Sequence, residues 1–108
     1  MTFDETLAFY DKLVAANPNF ERKGKTVPYT SANGHMFSIV NKDGELGFRY
    51  AKADQEQFMK DHDTTFFMSH GAKMRGYVLI PETMFADEKR LRAYLQKSYE
   101  YVMSLDPK

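Results

Sequence analysis

Cysteine is missing from the 108 residues. That absence removes disulfides, thiolate zinc sites and cysteine nucleophiles together, a composition that fits a reducing compartment. Tryptophan is also missing, so the aromatic share of the core falls to nine Phe and seven Tyr. There is no excess of either charge: Lys plus Arg and Asp plus Glu both number 15. A protein built mainly to grip phosphate backbones usually carries surplus positive charge, so net charge does not support nucleic acid as the principal partner. No apolar run approaches the roughly 18 residues of a membrane span, and the acidic opening Met1-Thr-Phe-Asp-Glu5 is unlike a signal peptide. The expectation is a cytoplasmic protein with no membrane partner. Its length suits one domain over residues 1–108, with roughly two thirds of the unfolded surface available for burial at this size.

What is present centres on Val27–Tyr50. Asn33-Gly34 and Asp43-Gly44 are pairs that readily supply the positive φ angles of two-residue hairpin turns. Between them His35, Phe37 and Ile39 alternate with Met36, Ser38 and Val40. After the second turn Leu46, Phe48 and Tyr50 alternate with Glu45, Gly47 and Arg49. Three strands joined by tight turns are predicted, the middle one apolar on both faces.

Ahead of this meander, Thr2 and Glu5 form a capping-box pattern, and Phe3, Leu7, Tyr10 and Val14 recur at helical spacing. A helix from about Phe3 to Ala16 follows, ended by Asn17-Pro18. The charged stretch Glu21–Lys25 reads as a solvated loop or the start of an edge strand. After the meander a short helix is predicted over Ala51–Asp61, then strands at Thr64–Met68 and Tyr77–Ile80, with Gly71 to Gly76 as the loop between them. Pro81 stops the last strand. Asp87 caps a final helix whose Leu91, Leu95, Ser98, Val102 and Leu105 share one face.

The predicted class is therefore α+β: a two-layer helix-β-β-β-helix-β-β-helix domain, with an antiparallel five-stranded sheet covered by helices on one face. The opposite face is expected to be open to water or to a partner.

The residues also carry a resemblance. Ala32-Asn-Gly-His-Met-Phe-Ser-Ile-Val40, Leu46-Gly-Phe-Arg49, Phe58, His70-Gly71, Tyr77-Val78, Ile80-Pro81, Ala93 and Ser98-Tyr-Glu-Tyr-Val102 together resemble the family of the N-terminal domain of the competence regulator TfoX, from Thr26 onward. The match is closest to small stand-alone members. The resemblance implies the same element order in a secretion-chaperone-like class, and it implies no activity. Where many relatives carry Met-Phe-Gly-Gly before the first hairpin, this chain reads Gly24-Lys-Thr-Val27. A competence-regulator role is not carried over, since the expected organisation is a single domain.

No motif for chemistry emerges. His35, His62 and His70 lack ligand spacing, so no metal site is expected. Gly71-Ala-Lys-Met-Arg-Gly76 lacks the Gly-Lys-Ser/Thr ending of a phosphate-cradling loop and reads as a connection. Neither a Gly-x-Ser-x-Gly elbow nor a dinucleotide fingerprint is found. No catalytic residue and no cofactor is assigned, and enzyme activity is unsupported.

Three readings of function remain. The first is a non-catalytic interaction or regulatory module, acting on a protein partner or by self-association as a homodimer. The second is a nucleic-acid accessory or transcription-related factor, motivated by the basic clusters Arg22–Lys25 and Lys89–Arg92, although Asp87 and Glu88 are placed to offset the latter. The third is a binder of a small anionic ligand at the sheet face, where Tyr29, Thr30, Ser31, His35 and Arg49 would offer hydroxyl, imidazole and guanidinium groups. Ordinary cross-strand pairing is the alternative account of those five residues.

Overall fold

A computed structural model describes all 108 residues. Helix α1 runs Phe3–Ala15, strands β1, β2 and β3 run Tyr29–Ala32, His35–Val40 and Leu46–Arg49, and helix α2 spans Lys52–Asp61. Strands β4 (Phe66–Ser69) and β5 (Ala72–Ile80) follow, then a 3-10 turn at Glu82–Ala86 and helix α3 at Glu88–Met103. The sheet is antiparallel throughout, in the order β1-β2-β3-β5-β4. The element order, the class and the helical cover agree with the sequence reading. Thr2 and Glu5 form the expected capping box on α1, and Asp87 accepts from the Arg90 amide at the start of α3.

Strict alternation along β2 fails, for an identifiable reason. Thr30 pairs with Ser38 while Ser31 pairs with Met36, so Phe37 is an extra residue, a β-bulge. The bulge turns Phe37 to the side of Ser38 and Val40, where both Phe37 and Val40 join the main core with Tyr10, Leu13 and Val14 of α1 and Leu91, Leu95 and Val102 of α3. Met36 and Ile39 go to the other face. Pairing of β2 with β3 ends at Ser38–Phe48. The next carbonyls along, those of Phe37 and Arg49, are both within reach of the Ser98 hydroxyl of α3, at 2.9 and 2.6 Å. Its single proton serves one of them or is shared. Beside it, Tyr10, Ser38 and Thr30 link their hydroxyls in a fully buried chain, with Tyr10 to Ser38 at 2.5 Å. Burial holds the Tyr10 phenol in its neutral form, well above its ordinary pKa.

The turns divide in the same way. Asn33-Gly34 is a two-residue turn with both residues left-handed, as expected. Asp43-Gly44 is not. Only Gly44 is left-handed, and the loop closes between Asn41 and Glu45, with the Asn41 side-chain oxygen accepting from the Asp43 and Glu45 amides. The stretch expected to be a loop before Gly76 is also different: His70-Gly71 makes a tight turn and β5 begins at Ala72.

The expectation of an open sheet face is corrected. The face away from the helices carries its own small core of Ile39, Phe67 and Tyr77, with Phe67 fully buried and half-buried Met36, Met74 and Leu79 around it. Tyr77 lies across the sheet so that its hydroxyl donates to the Met36 carbonyl at 2.8 Å, and the Asn41 amide donates to the Met68 carbonyl of β4 at the same distance. The β4–β5 hairpin thus curls back over the first hairpins. Gly47 makes room for it: a Cβ there would stand 2.6 Å from the Phe67 ring.

Two substitutions test these joints. Ser98→Ala removes the hydroxyl that reaches the Phe37 and Arg49 carbonyls and is expected to lower stability by about 1–3 kcal/mol, partly offset by the better helix propensity of alanine, as read from urea unfolding. Gly47→Ala would ordinarily stabilise by about 0.4–1 kcal/mol through the unfolded chain. Here the clash with an immobile ring dominates, and a net loss of roughly 1–3 kcal/mol is expected. That loss shrinks in a Phe67→Leu background, and additive effects in the double-mutant cycle would contradict the packing described.

Candidate functional site

The residues singled out from sequence do not converge. Tyr29 pairs with Ile39 and packs into the outer cluster, and Ser31, opposite Met36, is on that same face. Thr30 is on the other side, fully buried in the hydroxyl chain under α1. The His35 ring nitrogen is 2.9 Å from the Asp106 carbonyl, in a joint where the Asn33 amide also donates to the Val102 and Leu105 carbonyls at the end of α3. His35 therefore ties down the C-terminal segment. The expected gathering of these five on one sheet face is corrected: alternation along β1 sends Thr30 to the face opposite Tyr29 and Ser31, the docked C-terminal segment engages His35, and of the five Arg49 alone lines a concave site.

That site is a groove of about 470 Å³ between α2, β5 and the flank of α3. Four cations line it, Arg49, Lys52, Lys73 and Arg75, with a single carboxylate, Glu56; Met59, Phe66 and Tyr101 supply apolar and aromatic wall. Local structure explains the placement of each cation. Between the pairs Phe66–Val78 and Met68–Lys73, β5 holds four residues where β4 holds one, so β5 bows out of the ladder. Gly76 sits in this bulge at φ +92°, a conformation that side-chain-bearing residues rarely adopt. The missing side chain leaves a floor across which Arg49 lies, its Cγ and Nε 3.6 Å from where a Cβ would stand. The Arg49 guanidinium carbon is 5.8 Å from the centre of the Tyr101 ring, and Lys73 Nζ is 3.5 Å over Phe66. The rings steer both cations through their negative faces. Lys52 enters from the first turn of α2.

None of the four takes part in an ion pair. The five ion pairs of the protein involve other groups, among them Arg22 with Asp11, Arg92 and Lys12 with Glu88, and Lys97 with Asp54. Within the basic clusters noticed in the sequence, Asp11 takes Arg22 and Glu88 holds Arg92, as its placement suggested, while Lys23, Lys25, Lys89 and Arg90 are in no ion pair. Lys12 and Arg92 together keep the Glu88 carboxyl below its usual range.

Helix α2, one wall of the groove, is held from its far side. Phe58 packs edge-on against Tyr94, and His62 shares a hydrogen bond of 2.9 Å with the Tyr94 hydroxyl. Tyr50 donates to the Tyr94 carbonyl at 2.6 Å and Gln55 to the Tyr50 carbonyl at 2.7 Å. In the sequence Arg75 and Lys73 fall in the Gly71–Gly76 stretch read as a connection. Nothing in the sequence joins Lys52, Phe66, Lys73 and Tyr101 to Arg49, since they come from α2, β4, β5 and α3.

The fold is thus a two-layer α+β domain with a basic concavity between α2, β5 and α3. The chain belongs to the TfoX N-terminal domain family, whose model matches residues 29–102. The match includes all five strands and every groove residue named above. Comparison with curated proteins gives no match. No helix is long and apolar enough to cross a membrane.

The anchor of α2 is pH-sensitive in a stated direction. Burial, and secondarily the Arg90 charge, hold the folded His62 pKa below its ordinary 6.5, with Asp61 opposing. Below pH about 6.5 the unfolded chain takes up the proton more readily, so the His62 contribution to stability is complete above that pH and is lost as pH falls through the folded pKa. Urea midpoints measured from pH 7.5 to 5 should fall less steeply in His62→Gln than in the parent; identical slopes would remove His62 from the account.

Proposed function

We propose that this protein is a non-catalytic module of the cytoplasm that works by recognising an anionic partner, in an interaction or regulatory role, with the basic groove as its binding site. The supporting observation is the gathering of four unpaired cations and one carboxylate around one concavity in a chain whose total charge is zero. Like charges held together repel, and none of these four is in an ion pair of its own. A bound anion turns that repulsion into attraction, and the low-dielectric walls of a groove strengthen it relative to open surface. Arg49 and Arg75 supply planar forks suited to two-point contact with an oxyanion, while Lys52 and Lys73 act as point charges.

This reading departs from the one that placed the site on the exposed sheet face, because that face carries a core of its own. The nucleic-acid reading has less support, since Arg22 and Arg92 are taken up by carboxylates.

The test is thermal unfolding in citrate, pyrophosphate and chloride at matched ionic strength. A multivalent anion at a hundred times its Kd stabilises by about 2.7 kcal/mol, so Tm should rise by several degrees over the chloride control. The Arg49→Gln, Arg75→Gln double variant should lose that rise. Equal Tm values in all three salts would overturn the proposal.

A further inference from the structure

We infer that the groove takes a phosphorylated small molecule carrying about three negative charges, an organic diphosphate or bisphosphate of roughly nucleotide size. This rests on the reading of the groove as an anion site and adds the chemistry of the occupant.

Charge comes first. Arg49, Lys52, Lys73 and Arg75 against Glu56 leave three positive charges without a partner. A single carboxylate neutralises one of them. A phosphate monoester carries about 1.5 to 2 negative charges near neutrality, and a second phosphoryl group brings the total to about three. The donor set agrees with this count: two guanidinium forks and two ammonium groups enter from three separate elements. They offer contacts from several sides, as a tetrahedral phosphoryl group with several acceptor oxygens requires and a flat carboxylate does not.

Size and lining exclude a bare anion. About 470 Å³ is several times the space that one inorganic phosphate fills and falls in the range of small-molecule sites, roughly 300–1,000 Å³. Tyr50, Gln55, Met59, Phe66, Gly76 and Tyr101 form the part of the wall without charge. The faces of the Phe66 and Tyr101 rings are already engaged by Lys73 and Arg49, so the organic part of the ligand meets Met59 and the ring edges while its phosphates meet the cations.

Shape argues against a nucleic-acid backbone. Tight backbone binding uses about 6–10 phosphate contacts spread along a strand. Here four unpaired cations lie in one cup, and Arg22 and Arg92 of the other basic clusters are bound to acids of the same chain.

Isothermal titration of the full chain with ADP, UDP, fructose 1,6-bisphosphate, pyrophosphate, citrate and a single-stranded 12-mer DNA separates the cases. The expected result is that at least one of the three organic phosphates binds ten-fold or more tighter than both citrate and pyrophosphate. Arg49→Gln and Arg75→Gln should each weaken it about ten- to a hundred-fold, the loss of one charge-assisted contact. Lys42→Gln, at an exposed cation in the β2–β3 turn, should leave it unchanged. Citrate binding as tightly as the organic phosphates would overturn the phosphate assignment and leave the anion site standing. Pyrophosphate binding as tightly would overturn the organic part, and the 12-mer binding while the three organic phosphates do not would replace the small molecule by a nucleic acid. Absence of binding by every probe would overturn this inference and the anion site with it.

Discussion

One extra residue in the middle strand governs the arrangement. Phe37, standing outside the β1–β2 pairing, sends two consecutive side chains toward the helices and ends the β2–β3 ladder one step early. A buried carbonyl left without a partner costs about 1–3 kcal/mol, so a donor placed at the interruption stabilises it. Ser98 is that group, and it is small enough for α3 to lie close against the sheet at the same point. The crossing of α3 is thereby pinned at its middle. Its C-terminal end is pinned separately by Asn33 and His35, and the position of Tyr101 on its flank follows. A bulge in one strand thus sets one wall of a groove two strands away.

The second irregularity acts on the opposite end of the sheet. The bowing of β5 at Met74–Gly76 lets the β4–β5 hairpin turn back over the outer face, where Phe67 fills the space above Gly47. The same bow lifts Lys73 and Arg75 toward α2. Burial of Phe67 and exposure of the two cations are therefore two results of one backbone feature. A straight β5 would leave Gly47 uncovered and the cations strung along an edge.

Helices and strand identities were legible because they follow from local pattern: the capping box at Thr2, the proline at position 18, the face shared by Leu91, Leu95, Ser98 and Val102, the turn at Asn33-Gly34. Bulges have no such signature. Phe37 and Ser38 read as ordinary alternation, and only the pairing partner one strand over shows that a residue is surplus. Gly76 was visible as punctuation but not as the floor beneath Arg49. The candidate site came apart for other reasons. Tyr29, Thr30 and Ser31 are consecutive in a strand, so alternation sends Thr30 to the opposite face, and His35 is taken up by a C-terminal segment distant in sequence. Membership of the TfoX N-terminal domain family, legible in motifs such as Ala32–Val40 and Ser98–Val102, speaks to the architecture and not to the groove's occupant.

The groove also falls where the fold is least firmly held. Among the residues of α2 only Phe58 is buried, and no side chain caps its first turn. The other anchors are partly buried Met59, hydrogen bonds routed through Tyr50 and Tyr94, and an exposed ion pair of Asp54 with Lys97. Against this light attachment stands the mutual repulsion of Lys52 on the helix and Lys73 and Arg75 on the strand opposite. Elements with few buried contacts open at lower free energy than the core, so α2 is where an uncompensated charge has most effect. An anion between these walls would replace repulsion by bridging contacts from α2, β3 and β5 at once, and stabilise the element that the rest of the chain stabilises least.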